Sequence, residues 1–176
     1  MTAAPKLTAE LLRAIIHYDP DSGDFHWRER PDARRSWNTR YAGKLAGFDW
    51  SVNNVAYRSI RIFNYPFLGH RLAWLYMTGA WPLHCIDHKD LDGTNNRWSN
   101  LREATKAQNG ANTRAPCTNT SGFKGVSLQR KTGRFRAYIK HAGKQKWLGS
   151  HDTAESAHAA VSAATAELRG EFGRAA

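Results

Sequence analysis

Apolar residues at helical spacing predict four helices in this chain. Thr8 is placed to cap the first, which would run to Ile16 on an apolar stripe. The others are expected over residues 70–77, from Thr105 onward, and over 152–168, where Asp152 would begin the helix. Thr105 and Gln108 have capping-box spacing, which would put Asn109 in the first or second helical turn.

Alternating apolar and polar positions predict the strands. They are expected at 25–28, 55–63, 83–88 and 101–104, with a basic, aromatic, irregular stretch at 28–44. That stretch is either a solvated loop or a phosphate contact. Three further strands at 126–129, 135–139 and 147–149 are separated by turns and form a meander against helix 152–168.

The polar, turn-prone segment 114–120 predicts a linker between two domains. Residues 1–113 would form the first, with strand, loop, strand and helix in order over about 83–113. Residues 121–176 would form the second, a three-stranded antiparallel sheet packed on one helix. The predicted fold class is α+β.

The positive charge of the chain indicates the class of its binding partner. The 176 residues carry 26 Lys and Arg against 15 Asp and Glu, a formal net charge of +11. Such an excess attracts polyanions, and nucleic acid is the leading candidate. An anionic membrane surface is disfavoured because the chain has no long amphipathic basic helix, no signal pattern and no apolar run near 18 residues.

Cys85 and Cys117 are the only cysteines. Two thiols provide neither a disulfide framework nor a four-cysteine zinc site, which fits a reducing compartment. We therefore expect a protein of the cytoplasm, associated with nucleoid or phage DNA and not secreted.

Candidate chemistry is concentrated where Asp87 and His88 are followed by Asn100 and Asn109. An adjacent Asp and His supply a hard oxygen ligand and a base of near-neutral pKa, and on a strand they point to opposite sides. An isolated Asp-His pair is more often a surface turn, so the interpretation depends on the whole spaced set. Asn95 and Asn96 fit loop-bracing roles better than catalysis, and His84 fits a structural or substrate-facing role better than metal binding. His70 and Arg71 are ambiguous between helix packing and phosphate contact.

These residues resemble the HNH (His-Me finger) nucleases, especially the phage and homing-type enzymes with a ββα-metal site. The resemblance rests on 87–88, Asn100-Leu101-Arg102 and Asn109, with support from 69–74 and 79–82, and covers about 7–113. It implies that His88 is the general base and that Asn100 braces the loop. Asp87 and Asn109 would hold one Mg²⁺ or Mn²⁺ per active site through oxygen. Asn109 stands where the family name has its final His.

The C-terminal region resembles the plant APETALA2/ethylene-response-factor DNA-binding domain over about 119–172, through 121–126, 134–139, 146–149 and 152–157. That family reads the major groove with its sheet. Alternation independently sends Val126, Leu128, Phe135, Ala137, Ile139 and Leu148 inward. The DNA-binding candidates are the outward Gln129, Arg134, Arg136, Tyr138, Lys140 and Trp147, together with Arg71 from the first domain. Ser127 and Gln129 replace first-strand arginines common in the plant domains, so base preference does not transfer.

Together these patterns predict a metal-dependent DNA endonuclease that nicks double-stranded DNA, tethered by its C-terminal sheet. A monomer is expected, because one active site cuts one strand, with a dimer as the alternative. Two other functions stay open: a non-cutting DNA-binding regulator with a decayed HNH domain, and a nuclease acting on RNA or branched DNA.

Overall fold

The computed structural model describes residues 7–52, 55–113, 115 and 118–173. Helices and small sheets alternate along the chain, and the predicted α+β class is confirmed. Two compact units divide it: the first ends at Glu103 and the second begins at Ala104. Residues 104–113 therefore group with the second unit, and the predicted linker lies partly outside the described residues. The functional domain boundaries stay a prediction.

The first unit contains three sheets, β1–β2, β3–β4–β5 and β6–β7. Its elements are α1 (Ala9–Ile15), β1 (Ile16–Tyr18), β2 (Phe25–Trp27), α2 (Arg35–Tyr41), β3 (Phe48–Val52), β4 (Val55–Ile62), β5 (Tyr65–Leu68), α3 (Gly69–Thr78), β6 (Cys85–His88), a 3-10 turn (Trp98–Asn100) and β7 (Leu101–Ala104). Helices α1 and α3 pack together, and α3 also packs on β4. Leu12, Ile60 and Leu72 are wholly buried in this core.

The second unit begins with α4 (Lys106–Ala111) and continues as a three-stranded antiparallel sheet covered by one helix. Its strands are β8 (Val126–Gln129), β9 (Arg134–His141) and β10 (Lys144–His151), followed by α5 (Ala154–Arg169) and a 3-10 turn (Gly170–Phe172). The predicted meander against one helix is confirmed. Ala137, Ala157 and Val161 are at the centre of its core, where small side chains let α5 lie close to the sheet.

Helix starts follow the capping residues. The Thr8 hydroxyl accepts from the Leu11 N–H, as predicted, although Ile16 already belongs to β1. The Thr105 and Gln108 capping box is present in both directions. One predicted start is wrong: Thr153, not Asp152, caps α5 through the Ser156 N–H.

One prediction about strands is also wrong. Strand β6 begins at Cys85, and Leu83 is 89% exposed, so residues 83–84 precede the strand instead of starting it. Leu128 is opposite Phe135 on the predicted inward face, but it is 43% exposed near the end of β8.

Elements missed by pattern are held by tertiary contacts. Helix α2 falls in the stretch expected to be irregular and has no side-chain cap. The Asn38 side chain instead bonds the backbone N–H and carbonyl of Arg30 at 3.0 and 2.8 Å, and Trp37 packs edge-on against Trp27. Local propensity contains no such information.

Within the described parts of the chain, every helix is too short or too polar to cross a bilayer.

We predict that Tyr18→Phe destabilises the first unit by about 1–3 kcal/mol, because a buried acceptor loses its donor. The Tyr18 hydroxyl is buried and donates to the Asn96 carbonyl at 2.6 Å. Urea unfolding measures the change, with the exposed Tyr65→Phe as control. Equal stability of the two variants would contradict the structural importance of this bond.

Candidate functional site

Strand β6 presents Asp87 and His88 as buried neighbours. Their exposed fractions are 3% and 6%, respectively. Adjacent residues on a strand face opposite sides, so each side chain has its own surroundings. A carboxylate and an imidazole buried this deeply require compensating partners.

Arg102 on β7 provides the countercharge for Asp87. Its Nε and Nη2 both donate to the Asp87 Oδ2, at 2.9 and 2.8 Å. Arg102 is itself largely buried, at 11% side-chain exposure. Removing either residue would leave the charge of the other buried and unpaired, which is costly, so the two residues depend on each other.

His88 lies in a cluster of rings. The His70 ring on α3 meets it edge-on, with centroids 5.0 Å apart and planes at 89°. The Tyr57 ring on β4 completes the cluster, at 6.2 Å from His88 and 5.7 Å from His70. Three elements distant in sequence therefore converge on one imidazole.

Burial sets the protonation of both histidines. It lowers the pKa of His88, although Asn96 and the carboxylates of Asp90, Asp87 and Asp92 act in the opposite direction. Burial, with smaller contributions from His88 and Arg71, lowers the pKa of His70 to about 3. Both rings are consequently neutral near pH 7, and a neutral imidazole can accept a proton.

Asn100 braces the loop that follows β6. Its Nδ2 donates to the Asp90 carboxylate and to the Asn95 carbonyl, each at 2.9 Å. Its Oδ1 accepts from the Asp90 N–H at 3.1 Å, and its carbonyl accepts from the Lys89 N–H at 3.0 Å. One buried amide therefore fixes the chain directly after His88.

Two glycines let the rest of the unit approach this loop. A Cβ on Gly23, which has a φ of +82°, would lie 2.5 Å from the Arg97 backbone nitrogen. A Cβ on Gly93 would lie 2.4 Å from the Ala56 carbonyl and 2.7 Å from the Tyr57 ring. Contacts that short exclude any side chain, so glycine sets the spacing between the loop and β4.

Asn109 is the fourth residue of α4, inside the second unit, and is half-buried. Its N–H donates to the Thr105 carbonyl at 2.9 Å, as in a regular helix. Within the described residues, no three His, Cys, Asp or Glu side chains converge as metal ligands. The roles assigned to Asp87, His88, Asn100 and Asn109 therefore remain predictions.

Tyr57 and His70 belong to the site more closely than the sequence indicated. Strand alternation gives the side of β4 on which Tyr57 lies, but nothing local says that β6 is there. Arg71, a predicted DNA contact, is half-buried with its guanidinium 5.7 Å from the Trp81 ring centroid. That contact is the helix-packing alternative raised by the sequence.

The outer face of the second unit brings six predicted DNA-binding residues together. Directly opposed strand residues share a face, and the register of β8–β9–β10 opposes these residues in pairs: Gln129 with Arg134, Tyr138 with Trp147, and Lys140 with Gln145. Arg136 lies between Ser127 and Ser150. Trp147 is 57% exposed, and a large aromatic ring exposed beside other candidate contact residues is typical of a binding surface.

Two arginines on this outer face differ in their surroundings. The Arg136 Nε donates to the uncharged Gln129 Oε1 at 3.1 Å. Arg134 instead donates to the Ser150 carbonyl and lies 3.3 Å from Asp152. Arg136 therefore offers the less neutralised charge to an anionic partner.

Comparisons with known proteins agree with both halves of this description. The HNH endonuclease family model matches residues 68–111. Protein 3.8 of Escherichia phage T7 is 34% identical over 106 residues, covering 60% of this chain and 87% of that protein. The C-terminal region is 40% identical over 57 residues, 32% of this chain, to two plant proteins: AP2-like ethylene-responsive transcription factor TOE2 of Arabidopsis thaliana and APETALA2-like protein 2 of Oryza sativa.

The match covers only 12% and 13% of those plant proteins. No solved structure matches the chain significantly. Both predicted resemblances are confirmed.

We predict that His70→Phe flattens the dependence of stability on pH. Between about pH 6.5 and 3 the unfolded chain protonates position 70 while the folded chain does not, so stability falls as pH falls, by up to about 1.4 kcal/mol per pH unit for one group. Removing the imidazole removes that slope. Urea unfolding from pH 4 to 7.5 measures it, with the exposed His141→Phe as control; an unchanged slope in His70→Phe would refute it.

Proposed function

Because the chain belongs to the HNH endonuclease family, we propose that it is a metal-dependent DNA endonuclease that hydrolyses phosphodiester bonds with His88 as general base. The observation that carries the proposal is a buried imidazole, neutral near pH 7, next to a buried carboxylate on one strand. That pairing supplies a proton acceptor and a hard oxygen from adjacent positions of one strand. The coarser statement, a nuclease or DNA-binding role, follows from the family itself.

His88 accepts the proton of the attacking water. The burial that lowers its pKa keeps it uncharged, and the carboxylates nearby stabilise the imidazolium that forms. The ring contacts with His70 and Tyr57 fix its orientation, while Asn100 holds the backbone after it. Asn100 therefore acts as a positioning residue.

The donor chemistry suits a hard divalent cation. Asp87 offers carboxylate oxygen, Asn109 offers amide oxygen, and a neutral His88 does not repel positive charge. We assign Asp87 and Asn109 to one Mg²⁺ or Mn²⁺. When bound, such an ion neutralises charge on the phosphate and assists departure of the 3′ oxygen. Arg102 supplies the countercharge of Asp87 in the structure described.

The outer sheet face of the second unit would tether the enzyme to double-stranded DNA. Arg136, Lys140 and Trp147 are exposed on that face, which fits contact with phosphates and base edges. One active site per chain cuts one strand, so a monomer would nick. Cutting both strands requires a dimer or two binding events.

We predict that His88→Ala loses about 10²- to 10⁴-fold in the rate of nicking supercoiled plasmid with Mg²⁺, the usual contribution of a general base. Binding of DNA in a gel shift should persist. His84→Ala is the matched control, because His84 is exposed and its bond to Glu103 among the described residues is made by the backbone N–H, which the substitution keeps. Full activity of His88→Ala would remove His88 from the mechanism.

If the wild-type chain binds DNA equally well with and without EDTA but does not nick plasmid in any divalent ion, the result would instead favour a non-cutting DNA-binding protein. Comparison of duplex, branched DNA and RNA substrates tests the nucleic acid preferred.

We predict that Lys140→Ala weakens binding to duplex DNA and lowers the salt dependence by about one counterion. Lys146→Ala is the matched control: both lysines are exposed, but Lys146 opposes the inward-facing Ile139 and so projects to the other side of the sheet. Fluorescence anisotropy at several salt concentrations measures both. Equal losses would mean that net charge, not this face, determines binding.

A further inference from the structure

The first unit holds a second aromatic and basic site, away from His88. A cleft of about 610 Å³ opens between β2, α2 and the β3–β4–β5 sheet. The rings that line it are Trp27, Trp37, Tyr41, Phe48 and Phe63. Its volume is within the range of small-molecule and cofactor sites. It lies outside the matched HNH region.

The cleft is not simply an unfinished core. Phe48 is 55% exposed and Phe63 38%, whereas the core of the same unit is dry. Rings exposed together in a cleft mark a binding surface more often than a packing fault. Asn38 anchors α2 to the backbone of Arg30, so the wall is formed before any ligand arrives.

Arg30 gives the cleft its chemistry. Its guanidinium lies 5.2 Å from the Trp37 ring centroid and 5.5 Å from that of Phe63. Asp32 engages one end at 2.9 Å. A guanidinium packed against rings places positive charge beside aromatic surface, which suits a planar ligand that is linked to anionic groups.

Positive charge surrounds these rings. Arg61 lines the cleft, and the segment leading into and along it carries Arg28, Arg34, Arg35, Arg40 and Lys44 against Glu29 and Asp32. An apolar peptide would gain nothing from so many cations. A nucleic acid strand satisfies both features, because its bases stack on rings and its phosphates pair with arginine.

We propose that this cleft binds an unstacked base of the DNA strand, with the neighbouring phosphates on Arg61 and the arginines of α2. The inference rests on the proposed function, since the DNA strand it captures is the one presented to His88. Duplex DNA keeps its bases stacked, so the cleft would act on a flipped, frayed or single-stranded nucleotide.

The sheet connects the cleft to His88. Register pairs Phe48 with Ser59 and Trp50 with Tyr57, so these residues and Arg61 share one face. Tyr57 is the residue whose ring meets His88. The four residue-to-residue steps from Tyr57 to Arg61 span about 13 Å of strand, the length of about four stacked nucleotides. A base held in the cleft would therefore lie a few nucleotides from the cut.

Fluorescence anisotropy on the full chain carrying His88→Ala, without metal, tests this. The probes are a labelled single-stranded dT 12-mer and a 12-mer of the same backbone in which every position is abasic. We expect tighter binding of the intact oligomer, and Phe48→Ala should reduce its affinity at least about fivefold, the low end for loss of one stacked base. Phe48 is exposed, so its replacement leaves the core intact.

Tyr65→Ala is the matched control, an exposed ring of the same sheet that does not line the cleft. Arg61→Ala should weaken both oligomers alike and leave the preference for bases unchanged. Equal binding of intact and abasic oligomers, or equal losses in Phe48→Ala and Tyr65→Ala, would overturn the proposal.

Plasmid nicking by the wild-type chain separates the two proposals. If the wild-type chain nicks plasmid but Phe48→Ala does not weaken oligomer binding, only the cleft proposal is refuted. If binding depends on bases and on Phe48 but the wild-type chain does not nick plasmid, only the nuclease proposal is refuted.

Discussion

The Asn100 side chain is the constraint on which the described site depends. Its amide closes the turn after β6 by bonding Asp90 at the carboxylate and at the N–H, and by reaching the Asn95 carbonyl. Without that closure, β6 and β7 lose the connection that sets Asp87 opposite Arg102. Sheets of two strands are marginal by themselves, so a buried side chain that closes the loop between the strands adds to their stability.

Burial and charge then act together on the two neighbours of β6. The Asp87 carboxylate accepts two hydrogen bonds from the buried Arg102 guanidinium, whereas burial lowers the pKa of His88 and keeps its ring neutral near pH 7. Neighbouring residues of one strand therefore have an ionic and an aromatic environment. A neutral imidazole can accept a proton, which is why the ring cluster bears on chemistry as well as packing.

Sequence predicted the parts of the fold that local chemistry determines. The caps at Thr8 and Thr105 and the alternation in β8 and β9 involve neighbours in the chain, and they occur as expected. Helix α2 and the contact of Tyr57 with His88 could not be predicted, because both depend on side-chain contacts made on folding: Asn38 with Arg30, and Tyr57 with a ring on another strand. For the same reason the motif Asn100-Leu101-Arg102 does not indicate that Arg102 pairs with Asp87.

Two surfaces of different character follow from this division of the chain. The outer sheet face of the second unit spreads exposed cations along flat strands, a form that suits the regular backbone of duplex DNA. The cleft of the first unit surrounds a cation with rings, a form that suits a single displaced base. A nuclease with both would hold intact DNA with one unit and select a deformable nucleotide with the other. Its choice of cut would then depend on how readily the local sequence unstacks.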